Sequence, residues 1–205
     1  PIGSNPFGVD GYKTIAYEVV QDLGRAPDAV IVPAAYGDGL VGIHRGFADL
    51  LTMGAIDRLP RMVAVDPFGA YAAAMAAGGS DPVRVEVPGP TTAFSVATPI
   101  ATHQGLAALR DSGGTAMGPF DDDTIMGAQR SVAARTGLYL EASSCLTITA
   151  AEQLRVCGVL SPDDVVVAVA TSTGLKDIGS SAARLPDVPL VPPVLDALAE
   201  ALGQR

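Results

Sequence analysis

Three short segments hold the groups that could do chemistry together. The first is Asp28 to Phe47, DAVIVPAAYGDGLVGIHRGF. It reads as a buried strand over 29–33, a loop of small residues over 34–39 and a helix from about Leu40. A strand that runs through glycines into a helix start makes a concave nest of backbone N–H groups, which suits an anion and above all a phosphate. Gly37, Gly39 and Gly42 have the spacing G-x-G-x-x-G, but the first glycine is not where the strand ends, and no acid closes a ribose site. No P-loop lysine follows either. Spacing alone therefore leaves two readings open: a phosphate cradle at Ala35, Tyr36, Gly37, Asp38, Gly39 and Leu40, or a loop whose glycines serve close helix–strand packing. The second segment is Glu141 with Ser143 and Ser144. The third is Thr171 to Gly174, which ends the most strongly apolar run of the chain, DVVVAVAT over 164–171. A phosphate loop, a hydroxyl loop and a carboxylate are what a phosphorylated cofactor with a polar ring needs, and their convergence favours the cradle.

The other reactive side chains have simpler explanations. Asp121, Asp122 and Asp123 open a helix, where carboxylates suit the positive end, so capping accounts for them better than a metal does. Cys145 and Cys157 have no ligand spacing and read as buried thiols, so neither a disulfide framework nor a zinc site is indicated. His44, mid-helix beside Arg45, reads as a surface or satisfied histidine. His103 is placed in a loop facing the cleft, as a substrate candidate. Tyr36 reads either as a cover for the ligand or as a packing lid. The chain has two lysines, Lys13 and Lys176, and each is assigned to pairing with an acid or holding a loop or helix end.

These groups must be positioned by an alternation of strands and helices. Helices are expected over 12–23 (capped by Asp10), from about 40, from Pro67 through Met75, over 106–110, over 121–137, from Ser143 or Ser144 to Leu154, and over 192–202. Strands are expected over 29–33, 61–66, 115–118, 138–141 and 164–171, with an edge strand over 83–87. Residues 1–12 read as a connecting segment. The pattern predicts one α/β unit over 1–205 with three layers: a mostly parallel, twisted sheet with helices on both faces. In such sheets the ligand sits beyond the carboxyl ends of the strands, which puts the three segments on one side. Composition agrees, since 48% of the 205 residues are hydrophobic and only 17% charged. The net charge of −9 argues against a nucleic-acid partner. No apolar run is long enough to span a bilayer and no signal peptide is seen, so a cytoplasmic location is the default.

With these segments located, the chain resembles the threonine synthases, pyridoxal phosphate enzymes of the tryptophan synthase β type. NPFGVDGYKT (5–14) resembles their N-P-x-R-[IL]-E-G-Q-K-T. VPAAYGDGLVGIHRGF resembles the segment with their glycine–asparagine phosphate loop. SVATPI (95–100) resembles their S-I-x-x-x-x-P region. GLYLEASSC (137–145) resembles G-[IL]-x-x-E-P-[AS]-S-A, and VAVATSTGLKD (167–177) resembles V-x-x-x-T-G-x-G-L-K-D. Five segments in one order cover nearly the whole chain.

The resemblance implies pyridoxal 5'-phosphate as cofactor. Its phosphate would lie on the backbone of Ala35 to Gly39 at the helix start, Thr171 would face the ring nitrogen and Glu141 would lie behind the ring. Asn5, in the first matching segment, is carried over as a substrate contact. Neither Lys13 nor Lys176 matches the lysine that carries the cofactor, which lies in an S-F-K-D-R-G type motif in the family's N-terminal part. The chain, which opens at Pro1, is thus expected to be a C-terminal portion, roughly two-thirds, of an amino-acid lyase or synthase. The segment with the catalytic lysine is expected upstream in the same enzyme, and the family leaves room for a homodimer. Two departures bear on the substrate, which is expected to be a small amino acid. The arginine of N-P-x-R is Gly8 and the loop asparagine is Tyr36, positions the family associates with its substrate phosphate. The loss of a guanidinium removes a bidentate phosphate clamp. A relative that eliminates or replaces at the β-carbon of another amino acid is the rival expectation. A non-catalytic phospholigand-binding or assembly subunit without the lysine is another.

Overall fold

The computed structural model describes residues 6–187 and 190–203. Four strands form one parallel sheet: β1 (Ala29–Pro33), β2 (Arg61–Val65), β3 (Thr115–Met117) and β4 (Val166–Ala168), in the order β3-β2-β1-β4. The central strand β1 is AVIVP with every residue buried, as expected for a strand covered on both faces. Its alternate residues feed two cores. Val30 and Val32, with Met62 and Ala64 of β2, pack against α2 (Lys13–Leu23), α3 (Asp38–Thr52), α4 (Ala70–Ala76) and α5 (His103–Asp111). Ala29 and Ile31, with Val63 and Val65, pack against α6 (Asp122–Thr136) and α7 (Ala142–Val156). Each large aliphatic side chain so buried contributes roughly 1.5–3 kcal/mol. The three-layer parallel architecture is therefore as the sequence predicts.

Several local expectations are corrected. The connecting segment over 1–12 contains a short helix, α1 (Pro6–Asp10). Asp10 does not cap α2, whose N-cap is Tyr12 without a side-chain bond; it pairs with Lys13 and Arg45 instead. Residues 83–87 and 138–141 form no strand. Each contributes one antiparallel bridge, Arg84 with Ile100 and Leu140 with Thr173. Leu138 to Leu140 join the end of α6 at left-handed Gly137 to Glu141, the N-cap of α7, and of them only Leu140 makes a bridge. Ser143 and Ser144 lie inside α7 rather than capping it. Asp121 caps α6 as expected, accepting from the Thr124 N–H at 2.8 Å. Cys157 is exposed, whereas Cys145 is buried.

The third glycine of the G-x-G-x-x-G spacing has a packing role. A β-carbon at Gly42 would lie 2.3 Å from the Val9 carbonyl, and one at Gly46 would lie 2.6 Å from the Lys13 carbonyl. These two glycines, one turn apart on α3, let the α1–α2 corner press onto the helix backbone. Two short helices, α8 (Ile178–Ala182) and α9 (Leu195–Ala201), follow β4, and α9 buries none of its residues. No described helix is long and apolar enough to cross a membrane.

Candidate functional site

The carboxyl ends of β1 and β4 open onto a cleft of about 350 Å³. Its walls include Ala35, Tyr36, Gly37, Asp38 and Gly39 from the loop after β1, Thr171 from the loop after β4, and Glu141 at the start of α7. The fold thus collects residues more than a hundred positions apart at one sheet end.

The loop turns into α3 through Gly37, at φ 85° in the left-handed region. The first amide bonded into the helix is that of Val41, to the Gly37 carbonyl at 2.8 Å. The amides of Gly39 and Leu40 therefore have no acceptor within their own helix, and they lie at its positive end. Leu40, expected in the cradle, does not line the cleft, and its side chain is buried in the core. The loop is braced from behind. Thr102 donates from Oγ1 to the Tyr36 carbonyl at 2.9 Å and lies 3.3 Å from the Tyr71 hydroxyl. Burial raises the Tyr71 hydroxyl above its ordinary range and keeps it neutral. Tyr36 itself is 49% exposed.

Thr171 is held by its hydroxyl, 3.1 Å from Ser144 Oγ. Ser144 in turn accepts from the Ser172 N–H at 3.1 Å. The first turn of α7 therefore fixes the loop after β4, the role Ser144 has instead of capping, while Ser143 Oγ lies 3.4 Å from Glu141 Oε1. Glu141 is 2% exposed. Its Oε1 accepts a short hydrogen bond from Ser95, and Lys176 Nζ lies 3.4 Å away. Lys176 also donates to Ser95 Oγ at 2.7 Å and sits 5.5 Å over the Phe94 ring. Both Ser95 and Lys176 line the cleft. Burial, with the Glu141 charge as a smaller cause, pushes the nearby Cys145 thiol up to about 12, so it is not a nucleophile.

Other sequence candidates lie elsewhere. His103 is exposed on the first turn of α5 and does not line the cleft. Thr102, beside it, is the residue that reaches the loop, because it also caps α5 through the Gly105 N–H. Asn5 lies outside the described residues. Lys13 pairs with Asp49 at 3.0 Å across the α2–α3 seam. His44 is buried, not on the surface, and no hydrogen-bond partner for its Nε2 is found among the described residues. Among the described residues no cluster suited to a metal ion occurs. Sequence reasoning gave no role to Ser95, whose signal was its place at the head of SVATPI. It also missed Tyr12, the N-cap of α2, and Ile15 in the first turn of that helix, which line the cleft as well. A larger cavity of about 480 Å³, between α6 and α8, is walled by Met126, Ala133, Ala134 and Leu185 together with Arg130 and Arg184, and it holds none of the loop, hydroxyl and acid groups described above.

The groups in the cleft suit a phosphorylated, aromatic ligand. The start of α3, the Thr171 hydroxyl and the apolar side chains of Val96 and Val169 all line it. The Asp38 carboxylate suits the helix start but opposes an anion there, so the helix amides must outweigh it.

A family model described as pyridoxal-phosphate dependent enzyme matches residues 1–172. The chain is similar to the threonine synthase of Methanosarcina acetivorans, 28% identical over 202 residues, covering 97% of this chain and 50% of that protein. It is 32% identical over 177 residues to that of Methanocaldococcus jannaschii, covering 84% of this chain and 44% of the relative. The chain spans about half the length of these curated relatives. Among solved structures it resembles a fungal L-serine ammonia-lyase from Rhizomucor miehei, with a TM-score of 0.66 at 23% identity, covering 80% of this chain and 51% of that one. It also resembles the processed form of threonine deaminase isoform 2 from Solanum lycopersicum, with a TM-score of 0.64 at 21% identity, covering 85% and 48%. At such identities these likenesses speak for the fold.

Proposed function

This chain belongs to the pyridoxal-phosphate dependent enzymes, and from that premise we propose that the cleft between the β1 and β4 loops is its cofactor site, in the large-domain portion of an amino-acid lyase or synthase similar to threonine synthase. The observation that carries the reading is the convergence of the Ala35–Gly39 loop, Thr171 and Glu141 on one cleft. When bound, pyridoxal phosphate supplies an electron sink for negative charge at the substrate's α-carbon. The amides at the start of α3 would hold the phosphate. Thr171, oriented by Ser144, would meet the ring nitrogen; a hydroxyl there leaves the nitrogen largely unprotonated, which suits elimination and replacement. Val96 and Val169 would pack the ring and exclude water. The amine that accepts and returns the α-proton would come from a segment upstream of Pro1.

A second reading concerns the substrate. Gly8 stands where a guanidinium is expected, and Tyr36 rises from the phosphate loop, half exposed. Both favour a β-eliminating or β-replacing reaction on an amino acid without a phosphate.

The test is the protein made from its parent gene with pyridoxal phosphate. Visible absorbance of bound cofactor is expected. Thr171→Val should weaken cofactor binding about tenfold, the loss of one hydrogen bond of ordinary strength, and shift the absorbance. Unchanged affinity and spectrum in that variant would overturn the placement of Thr171.

A further inference from the structure

We propose that Lys176 is the positioning residue of this cleft: its ammonium balances the buried Glu141 carboxylate and thereby fixes the single proton of Ser95. The inference rests on the cofactor reading of the cleft, and its test separates the two.

Three observations carry it. Glu141 is the N-cap residue of α7, yet its side chain makes no capping bond. The carboxylate is turned away from its own helix toward Ser95 and Lys176. It is also 2% exposed, and a charge so far from water must be paired and hydrogen-bonded to remain there. Its charged partner among the described residues is Lys176, with Nζ 3.4 Å from the carboxylate oxygens. Ser143 Oγ, 3.4 Å from Oε1, adds only a dipole. Lys176 is half exposed and is held by the Phe94 ring and Ser95 rather than by a helix end.

The proton count then follows. A serine hydroxyl has one donor and two lone pairs. The ionised Glu141 can only accept, so the Ser95 proton is committed to Oε1. Lys176 can only donate, so one Ser95 lone pair is taken, at 2.7 Å. One lone pair remains, and Ser95 meets a ligand in the cleft solely as an acceptor. Removal of the ammonium leaves the carboxylate uncompensated and releases the Ser95 lone pair that Lys176 occupied, so the hydroxyl is held by its bond to Oε1 alone. The effect reaches further because Glu141 also donates its backbone N–H to the Ser172 carbonyl at 3.0 Å, next to Thr171. Lys176 would thus hold the Thr171 loop and the Ser95 wall in one arrangement without touching the reacting atoms.

The experiment is a double-mutant cycle on the protein from its parent gene: wild type, Lys176→Met, Glu141→Gln and the double variant, with Lys176→Arg as the conservative control. Three quantities are read: the unfolding midpoint without cofactor, and the dissociation constant and absorbance maximum with pyridoxal phosphate. Lys176→Met should weaken cofactor binding about tenfold or more and lower the midpoint, because one partner of a buried pair is lost. The double variant should recover most of both, since a neutral amide at position 141 needs no counter-ion, and Lys176→Arg should keep the wild-type absorbance maximum. A prop that acted only through its bulk would be missed equally with either side chain at position 141, so additive effects overturn the inference. If Lys176→Met fails to fold and the double variant folds, the charge account is supported; if neither folds, it is wrong. Should wild type bind no pyridoxal phosphate, the cofactor reading falls, while the stability cycle still decides the pairing.

Discussion

Gly37 shows how much a single position can demand. It holds φ 85°, and a β-carbon there would lie 2.7 Å from the buried Tyr71 hydroxyl. Gly37→Ala meets both penalties: the left-handed conformation costs roughly 1–2 kcal/mol, and the contact adds to it. We expect a loss of about 2 kcal/mol or more in chemical denaturation, and a change below about 0.5 kcal/mol would mean that the loop relaxes freely. The cradle glycine was visible in the sequence, but its reason was not, because Tyr71 and Thr102 come from other segments. The same holds for Ser95 and Lys176. A lysine assigned to pairing with an acid was correct as far as it went. That its acid would be Glu141, and that a serine would join them, depends on contacts 35, 46 and 81 residues apart.

Among the elements, the α2–α3 seam gives a paired prediction. At Gly46 a methyl group would strike the Lys13 carbonyl at 2.6 Å, whereas at Gly127, inside α6, nothing lies within 4 Å. Gly46→Ala should therefore destabilise by about 1–3 kcal/mol. Gly127→Ala should stabilise by about 0.5–1 kcal/mol through helix propensity. Equal effects in denaturant midpoint would refute the packing role. Elements with strong local patterns were legible: β1 and β2 are continuous apolar runs, and α6 has its acidic cap. Elements held by tertiary contacts were not. α1 hides in a run of breakers, NPFGVDG, because its support is the glycine face of α3. β4 is shorter than its apolar run, since only Val166–Ala168 pair with β1. The cleft was legible in outline because the carboxyl ends of parallel strands are where such sheets bind ligands. His103 was misplaced because the start of α5 turns it outward.

For the whole molecule, acid stability follows from His44. Burial lowers its pKa, a tendency that the Asp111 charge partly opposes and Arg45 reinforces. The folded state then binds this proton less readily than the unfolded chain does. Above the ordinary histidine range, about 6.5, both states are neutral and His44 has no effect; as pH falls from there toward the lower folded value, stability is lost. Unfolding midpoints measured across that window should decline in wild type and decline less in His44→Leu. Identical slopes would assign the acid sensitivity to other groups. The seam of α3 also bears on how the molecule can move. Backbone lies directly on backbone at Gly42 and Gly46, so α2 and α3 cannot slide past each other by rotating side chains. Tyr12 and Ile15 at the start of one helix and the loop at the head of the other, which line the same cleft, are then two parts of a single stiff jaw.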